Sequence, residues 1–251
     1  MNWILIRGLA RDHRHWGHFP RQLAARTGGE VHCIDLPGAG TSKHLAVPGS
    51  LSGFVDAIRP QLPKTGGRWG VFGMSLGGMT AVQWAAMYPE DFEWVAVGNS
   101  SAANLSPFWK RLIPRNYYTL LTVGTKPPIE RERGIMDMIV NHPVQGTAAL
   151  AEEWASFGTP VTRKVFLRQL MTGARSFAPA ALKRPVLVMS SNGDRFVNPD
   201  CSRALFAHVA QITTAEQAIH PTAGHDLAED APDWVMDQLL AFVGRHSELG
   251  K

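Results

Sequence analysis

The chemistry in this sequence gathers at Gly73-Met74-Ser75-Leu76-Gly77, followed at once by Gly78. A serine hydroxyl is a poor nucleophile until a base takes its proton and the backbone holds it in the open. A tight turn from a strand into a helix does the presenting. Such a turn needs neighbours without bulk, which glycine supplies two residues before and two after Ser75. The helix beyond it directs its free N-terminal donors toward negative charge developing on a substrate. The pentapeptide alone is a common chance pattern; standing between Arg68-Trp69-Gly70-Val71-Phe72 and a helical run, it becomes specific. A dinucleotide site does not fit, because no G-x-G-x-x-G stands here and no acidic residue follows at the required distance.

A serine so placed needs a histidine base and an orienting carboxylate, in the chain order serine, acid, histidine if the frame is a sheet enzyme. After Val186-Leu187-Val188-Met189 the chain runs Ser190-Ser191-Asn192-Gly193-Asp194, which puts Asp194 just past a buried strand beside a turn-permitting glycine. Ala223-Gly224-His225-Asp226 puts His225 in a loop ahead of the last helix. The competitors are weaker. Asp200 reads as a helix cap, and Asp226 adjoins the histidine, so its side chain is expected to point elsewhere. Asn99 cannot ionise, and His220 sits at the end of the last strand.

The elements that must carry these residues are short β-branched apolar runs alternating with helical stretches, the pattern of a parallel sheet covered on both faces. Strands are predicted at 3–6, 31–36, 69–72, 95–97, 186–190 and, less sharply, within 209–219. A helix is predicted over 76–87, where Pro89 stops it for want of a donor. Another begins near Pro232, and its Val235, Leu239 and Phe242 point one stripe at the sheet. The interval 101–182 breaks the rhythm with seven prolines among short helical patterns and aromatics. That is too long for a loop, so a helical cap over one end of the sheet is expected. The domain reading is a single unit with a core of 1–100 and 183–251 and the cap at 101–182.

At 251 residues the chain can build one sizeable core. With 45% hydrophobic and 18% charged residues it is too apolar for disorder, and no apolar run approaches the ~18 residues of a membrane span. The start of the sequence reaches Arg7 too soon for a secretory signal, and Cys33 and Cys201 match neither a disulfide framework nor a zinc spacing. A cytoplasmic location is the expectation. The net charge of +4 is scattered, without aromatics interleaved in any nucleic-acid motif, so nucleic acid is not an expected partner.

Four stretches in order now carry a family likeness: Ile6-Arg7-Gly8-Leu9, Asp35-Leu36-Pro37-Gly38-Ala39-Gly40-Thr41-Ser42, the serine turn, and the loops of Asp194 and His225. The sequence resembles the α/β-hydrolase superfamily over essentially its whole length outside the cap. The resemblance implies an α/β fold with Ser75 as nucleophile, His225 as general base and then acid, and Asp194 as the orienting carboxylate. It further implies an oxyanion hole from the backbone N–H groups of Leu9 and Leu76. No cofactor or metal is called for. Two departures stand out. Arg7-Gly8 replaces the usual His-Gly, which puts in question how that loop is braced. The first strand also stands where family members commonly have two further strands before it, which predicts a sheet of about six strands with an edge to cover; monomer and homodimer both remain open.

Arg11-Asp12-His13-Arg14-His15-Trp16-Gly17-His18 tempts a metal reading, but a surface turn with Trp16 packed beneath it is the expectation. In the cap, Phe108, Trp109, Tyr117, Tyr118, Leu120, Leu121, Ile135, Met136, Met138, Trp154, Phe157, Phe166, Leu170 and Met171 are to be divided between a small core, expected to claim more than half, and an apolar pocket wall. Arg111, Arg115, Lys126, Arg131 and Arg133 leave room for an acidic group on the substrate. The expected function is hydrolysis of carboxylic esters of small to medium hydrophobic substrates through an acyl-enzyme. Thioesterase, lactonase, perhydrolase and carbon–carbon bond hydrolase chemistries share the machinery, whereas a proline-specific peptidase has no supporting feature in the sequence. Haloalkane dehalogenases and epoxide hydrolases resembling this chain have aspartate where Ser75 stands. A non-catalytic ligand-binding protein on the same fold is the rival of another class.

Overall fold

The computed structural model describes residues 1–247; residues 248–251, the end of the expected core, lie outside the described residues. Six strands, β1 (Asn2–Ile6), β2 (Val31–Cys33), β3 (Trp69–Met74), β4 (Trp94–Gly98), β5 (Val186–Ser191) and β6 (Ala215–His220), form one sheet in the order β2-β1-β3-β4-β5-β6. Every pairing is parallel. Around it stand α1 (Phe19–Thr27), α2 (Leu51–Ile58), α3 (Leu76–Met87), α9 (Asp200–Val209), α10 (Leu227–Asp230) and α11 (Pro232–His246). Between β4 and β5 the chain leaves the sheet for α4 (Phe108–Arg111), α5 (Tyr117–Thr122), α6 (Pro128–Ile139), α7 (Thr147–Ser156) and α8 (Arg163–Ala174), the helical cap.

Alternation along the strands builds the layers. Ile4, Ile6, Val95, Val97, Val186 and Val188 face a core with Phe54, Trp84 and Leu205 of α2, α3 and α9. Their neighbours Trp3, Leu5, Trp94, Ala96, Leu187 and Met189 face the opposite core with Phe19, Leu23, Leu239 and Phe242 of α1 and α11. The period of two sends successive side chains to opposite faces, so a sheet covered on both sides needs apolar residues at every position. Central β3 is buried throughout. The predicted stripe of Val235, Leu239 and Phe242 is wholly inside.

The cap has its own cluster of Met136, Met138, Ile139, Val140, Leu150, Ala151 and Trp154, against which Leu120, Ile135, Phe157 and Phe196 pack. Fewer than half of the apolar residues expected to form that core do so. Phe108, Trp109, Tyr118, Leu121 and Met171 stay exposed, because a few short helices cannot enclose so many large side chains. Among the described residues no helix is long and apolar enough to cross a membrane.

Candidate active site

Three residues other than glycine have positive φ among the described residues: Ala10 (56°), Ser75 (54°) and Asn99 (45°). Each such conformation costs about 1–3 kcal/mol and persists only where the surroundings enforce it. All three follow the carboxyl ends of neighbouring strands β1, β3 and β4, where ligands of open α/β sheets bind.

Ser75, with φ 54° and ψ −114°, is held by its backbone. Its N–H donates to Gly98 O (2.8 Å), and its carbonyl accepts from Met79 N (3.1 Å) and Ser100 Oγ (2.9 Å). The glycines of the turn are there for space. A Cβ on Gly77 would stand 2.2 Å from Ile6 O, and one on Gly73 would stand 2.2 Å from Gly77 O.

Asp194 and His225 meet, with Asp194 Oδ2 2.7 Å from His225 Nδ1 in a buried contact. A carboxylate can only accept, so the ring proton lies on Nδ1 and Nε2 is left able to take one. The other carboxylate oxygen accepts from Phe196 N (2.8 Å) and Val197 N (2.9 Å), which anchors Asp194 in its loop. The Phe196 ring packs 5.0 Å from the imidazole. Ser75 and His225 line one cavity of about 300 Å³. No hydrogen bond joins Ser75 Oγ to the ring among the described residues; contacts of this kind often tighten only around a bound substrate.

Leu9 also lines the cavity. Leu76 does not; its side chain is buried in the core, while its N–H belongs to the first turn of α3 directly after Ser75. Among the described residues neither the Leu9 nor the Leu76 N–H has an acceptor within the protein. The other walls include Leu120, Leu121, Ile135, Met138, Phe166 and Leu167 from the cap, together with the buried Arg7 and Arg11. Of the cationic cap residues singled out in the sequence, only Arg131 reaches this cavity, joined by Arg163. Arg111 is instead buried and spent on the carbonyls of Gly173 (2.6 Å) and Ala174 (2.9 Å).

Arg7 answers the question its departure from the usual residue raised. It is buried and lies over the Trp16 ring, 4.7 Å from the centroid. Both of its terminal nitrogens bond the Asp226 carboxylate, one at 3.0 Å and the other in a shorter contact. The serine loop's neighbour is thus tied to the residue beside His225. Burial by itself would raise the Asp226 pKa, and the Arg7 charge overturns this and holds it below the ordinary range. A carboxylate with a depressed folded pKa stabilises the fold above its unfolded value of ~3.9, and that contribution is lost as pH falls through the folded value. Arg7→Met should therefore destabilise the protein by about 3–5 kcal/mol at neutral pH, since it strands a buried charge. Arg7→Met/Asp226→Leu should recover most of the loss. Denaturant melts of the parent and both variants read this out, and a single variant as stable as the parent would contradict it.

Asn99 cannot ionise, yet it braces the loop that bears His225. Its Nδ2 donates to Gly224 O (3.1 Å) and His225 O (2.8 Å), and its Oδ1 accepts from Ser191 N (2.9 Å). Only its position after β4 could have signalled this. The Asp226 carboxylate is engaged by Arg7, while the imidazole bonds Asp194, and His220 lies at the end of β6 with its Nδ1 accepting from Ala223 N (2.9 Å).

The histidine-rich segment is not a surface turn. Asp12 caps a 3-10 turn, His13–Trp16, and Arg11, Asp12, His15 and Trp16 are buried. The His15 ring stands edge-on to Trp154 (5.4 Å) and Phe157 (5.3 Å) of the cap. Burial, reinforced by Arg11, pushes its pKa down to about 4, so at neutral pH it is an uncharged packing residue. The cap lands on this segment, and a lone sequence carries no mark of where an insertion lands. Among the described residues no group of three or more His, Cys, Asp or Glu is arranged to hold a metal ion.

Comparison with known proteins agrees with this architecture. The family model described as serine aminopeptidase, S33, matches residues 3–232. A pimeloyl-[acyl-carrier protein] methyl ester esterase of Klebsiella pneumoniae (strain 342) is 26% identical over 190 residues, 68% of this chain and 69% of that enzyme. Against Shewanella enzymes of the same name the match spans about half of their length. A 2-hydroxy-6-oxononadienedioate/2-hydroxy-6-oxononatrienedioate hydrolase of Paraburkholderia phymatum is 24% identical across 96% of this chain and 86% of its own. Among solved structures, a thermophilic esterase from Thermogutta terrifontis superposes with a TM-score of 0.73 at 18% identity, covering 98% of this chain and 90% of that one, a likeness of fold.

Proposed function

We propose a serine-esterase mechanism from the premise that this chain belongs to the α/β-hydrolase superfamily, within the S33 family whose model it matches, and is a hydrolase. The reading assigns Ser75 as nucleophile, His225 as base and Asp194 as the carboxylate that orients it. The Asp194–His225 contact at 2.7 Å, opening onto the cavity that Ser75 lines, carries it.

In this mechanism His225 Nε2 takes the Ser75 hydroxyl proton as Oγ adds to the ester carbonyl. The carbonyl oxygen becomes an oxyanion facing the N–H groups of Leu9 and Leu76, where each well-placed donor is worth roughly 3–4 kcal/mol. Collapse breaks the bond to the alcohol oxygen, which leaves with the proton from His225. Water, deprotonated by the same imidazole, then adds to the acyl-enzyme, and Ser75 departs with its proton restored. Asp194 keeps its negative charge throughout and stabilises the imidazolium.

The apolar walls support a substrate with a small to medium hydrophobic acyl or alcohol part. Each methylene that leaves water gains about 0.8 kcal/mol, or roughly fourfold in kcat/KM. On p-nitrophenyl esters from acetate to dodecanoate, kcat/KM should climb from the shortest chain until the cavity is filled and then fall. A steady decline from acetate upward would argue against the pocket.

The match to the P. phymatum hydrolase, which runs along nearly the whole chain, favours carbon–carbon bond hydrolysis as a second reading with the same three residues. Arg163, exposed at the cavity wall and without a hydrogen-bonding partner among the described residues, suits a substrate with a remote anionic group under either reading. A panel of esters, thioesters, lactones and vinylogous diketones separates these chemistries. A fluorophosphonate probe separates them all from a ligand-binding protein, which would not be labelled at Ser75.

A further inference from the structure

We propose that the cap completes the oxyanion hole: Gln169 of α8 is a positioning residue that holds the loop after β1 in the shape from which Leu9 presents its N–H. The inference rests on the serine-esterase reading above.

Leu9 sits in a bend closed by Arg11 N donating to Gly8 O (3.3 Å). On one side, Gly8 is packed so closely that a Cβ there would stand 3.2 Å from both Met74 O and Ser75 Cβ. On the other side comes Ala10, whose φ of 56° an alanine adopts only under constraint. The constraint comes from the cap. Ala10 N donates to Gln169 Oε1 (3.0 Å), and Gln169 Nε2 donates to Pro37 O (3.0 Å). With both ends of the amide engaged, its orientation is determined: flipped, it would set N–H against N–H and oxygen against oxygen. Gln169 is wholly buried, so no water replaces either contact. One residue further on, Arg11 Nη1 bonds Glu132 Oε2 of α6 (2.7 Å), and its guanidinium lies 4.4 Å from the Trp154 ring centroid. Glu132 is held in turn by Arg131 Nε (2.9 Å). The loop between nucleophile and cap is therefore clamped from the cap side at two consecutive residues, and the unpaired Leu9 N–H is next to the clamp.

Gln169 does not line the cavity. It can act on the reaction only through the loop, and this separates it from a residue that shapes the pocket. An interaction made only in the transition state lowers kcat without raising KM. Gln169→Met keeps the side chain's length but removes acceptor and donor. It should lower kcat about 10- to 100-fold with KM within twofold. Inhibition by an alkyl boronic acid, whose adduct with serine places an oxygen at the oxyanion position, should weaken by a similar factor, while binding of the product alcohol, which brings no oxyanion, stays unchanged. Adding Ala10→Gly should restore a large part of the kcat, because glycine adopts this φ freely. Should Gln169→Met fail to fold, Gln169→Asn, one methylene too short to reach Ala10 N, replaces it with the same expected split.

Parental kcat in the folded variant would overturn the proposal. So would a rise in KM that accounts for the loss, or no recovery with Ala10→Gly. The parent is tested first with a fluorophosphonate. Failure to label Ser75 there would remove the esterase reading itself, whereas a labelled, active parent beside an unaffected Gln169 variant removes only the role of the cap.

Discussion

Ser75→Ala should lose turnover by at least about 10⁴-fold and keep the parent's fold and stability. The size of the loss follows from the proposed mechanism, in which the nucleophile takes part in both bond-making steps and its removal disables the histidine and carboxylate with it. The preserved fold follows from how Ser75 is held. Its N–H, its carbonyl and the glycines around it make the turn, and alanine keeps all of these contacts. The positive φ of 54° is as strained for alanine as for serine, so the substitution adds little. Rates on the best p-nitrophenyl ester, denaturant melts and mass spectrometry after fluorophosphonate treatment test the claim together. Hydrolysis at the parental rate by a folded, unlabelled variant would end the serine mechanism.

The second large effect is at the carboxylate. Asp194→Asn should lower kcat by about 10³–10⁴-fold with little change in KM. The hydrogen bonds show why so small a change matters. Oδ1 accepts from two backbone N–H groups, Phe196 and Val197, so an asparagine would leave its carbonyl oxygen there and turn its NH₂ toward His225. Nδ1 would then have to accept, which forces the proton to Nε2 and leaves the imidazole unable to take one from Ser75. The buried negative charge that stabilises the imidazolium is lost as well. Single-turnover kinetics on an activated ester would place the loss in acylation. A rate within tenfold of the parent would mean that another acid orients the histidine.

The contrast between these two residues and Arg7 is instructive. Replacing Arg7 is expected to act first on stability, because its partner Asp226 is buried with it. Replacing Ser75 or Asp194 is expected to act on rate, because backbone donors hold those residues in place whether or not the functional atom is present.

Much of this was legible from local pattern. The serine turn, its strand and its helix are set by neighbours within a few residues. Leu76–Met87 ends where Pro89 requires, and the paired valines of β4 and β5 announce a sheet buried on both faces. Strand ends were less clear. The run predicted over 31–36 pairs only as Val31–Cys33, since Asp35 turns away to accept from His13 N, Thr41 N and Thr41 Oγ1. The roles of Asn99, Asp226 and Gln169 had no local signature, because each acts on a partner more than a hundred residues away.

By itself the sequence determined the order of strands and helices along the chain, and it singled out the hydroxyl, imidazole and carboxylate of the proposed mechanism with the loops that bear them. These follow from periodicity, turn chemistry and spacing, which act along the chain. Only the tertiary structure decided which buried charges neutralise one another, where the cap lands, and that the loop carrying Leu9 is gripped from above. Those are contacts between surfaces distant in sequence, and whether Arg7 faces Asp226 or solvent depends on how the layers pack and not on any residue's neighbours in the chain.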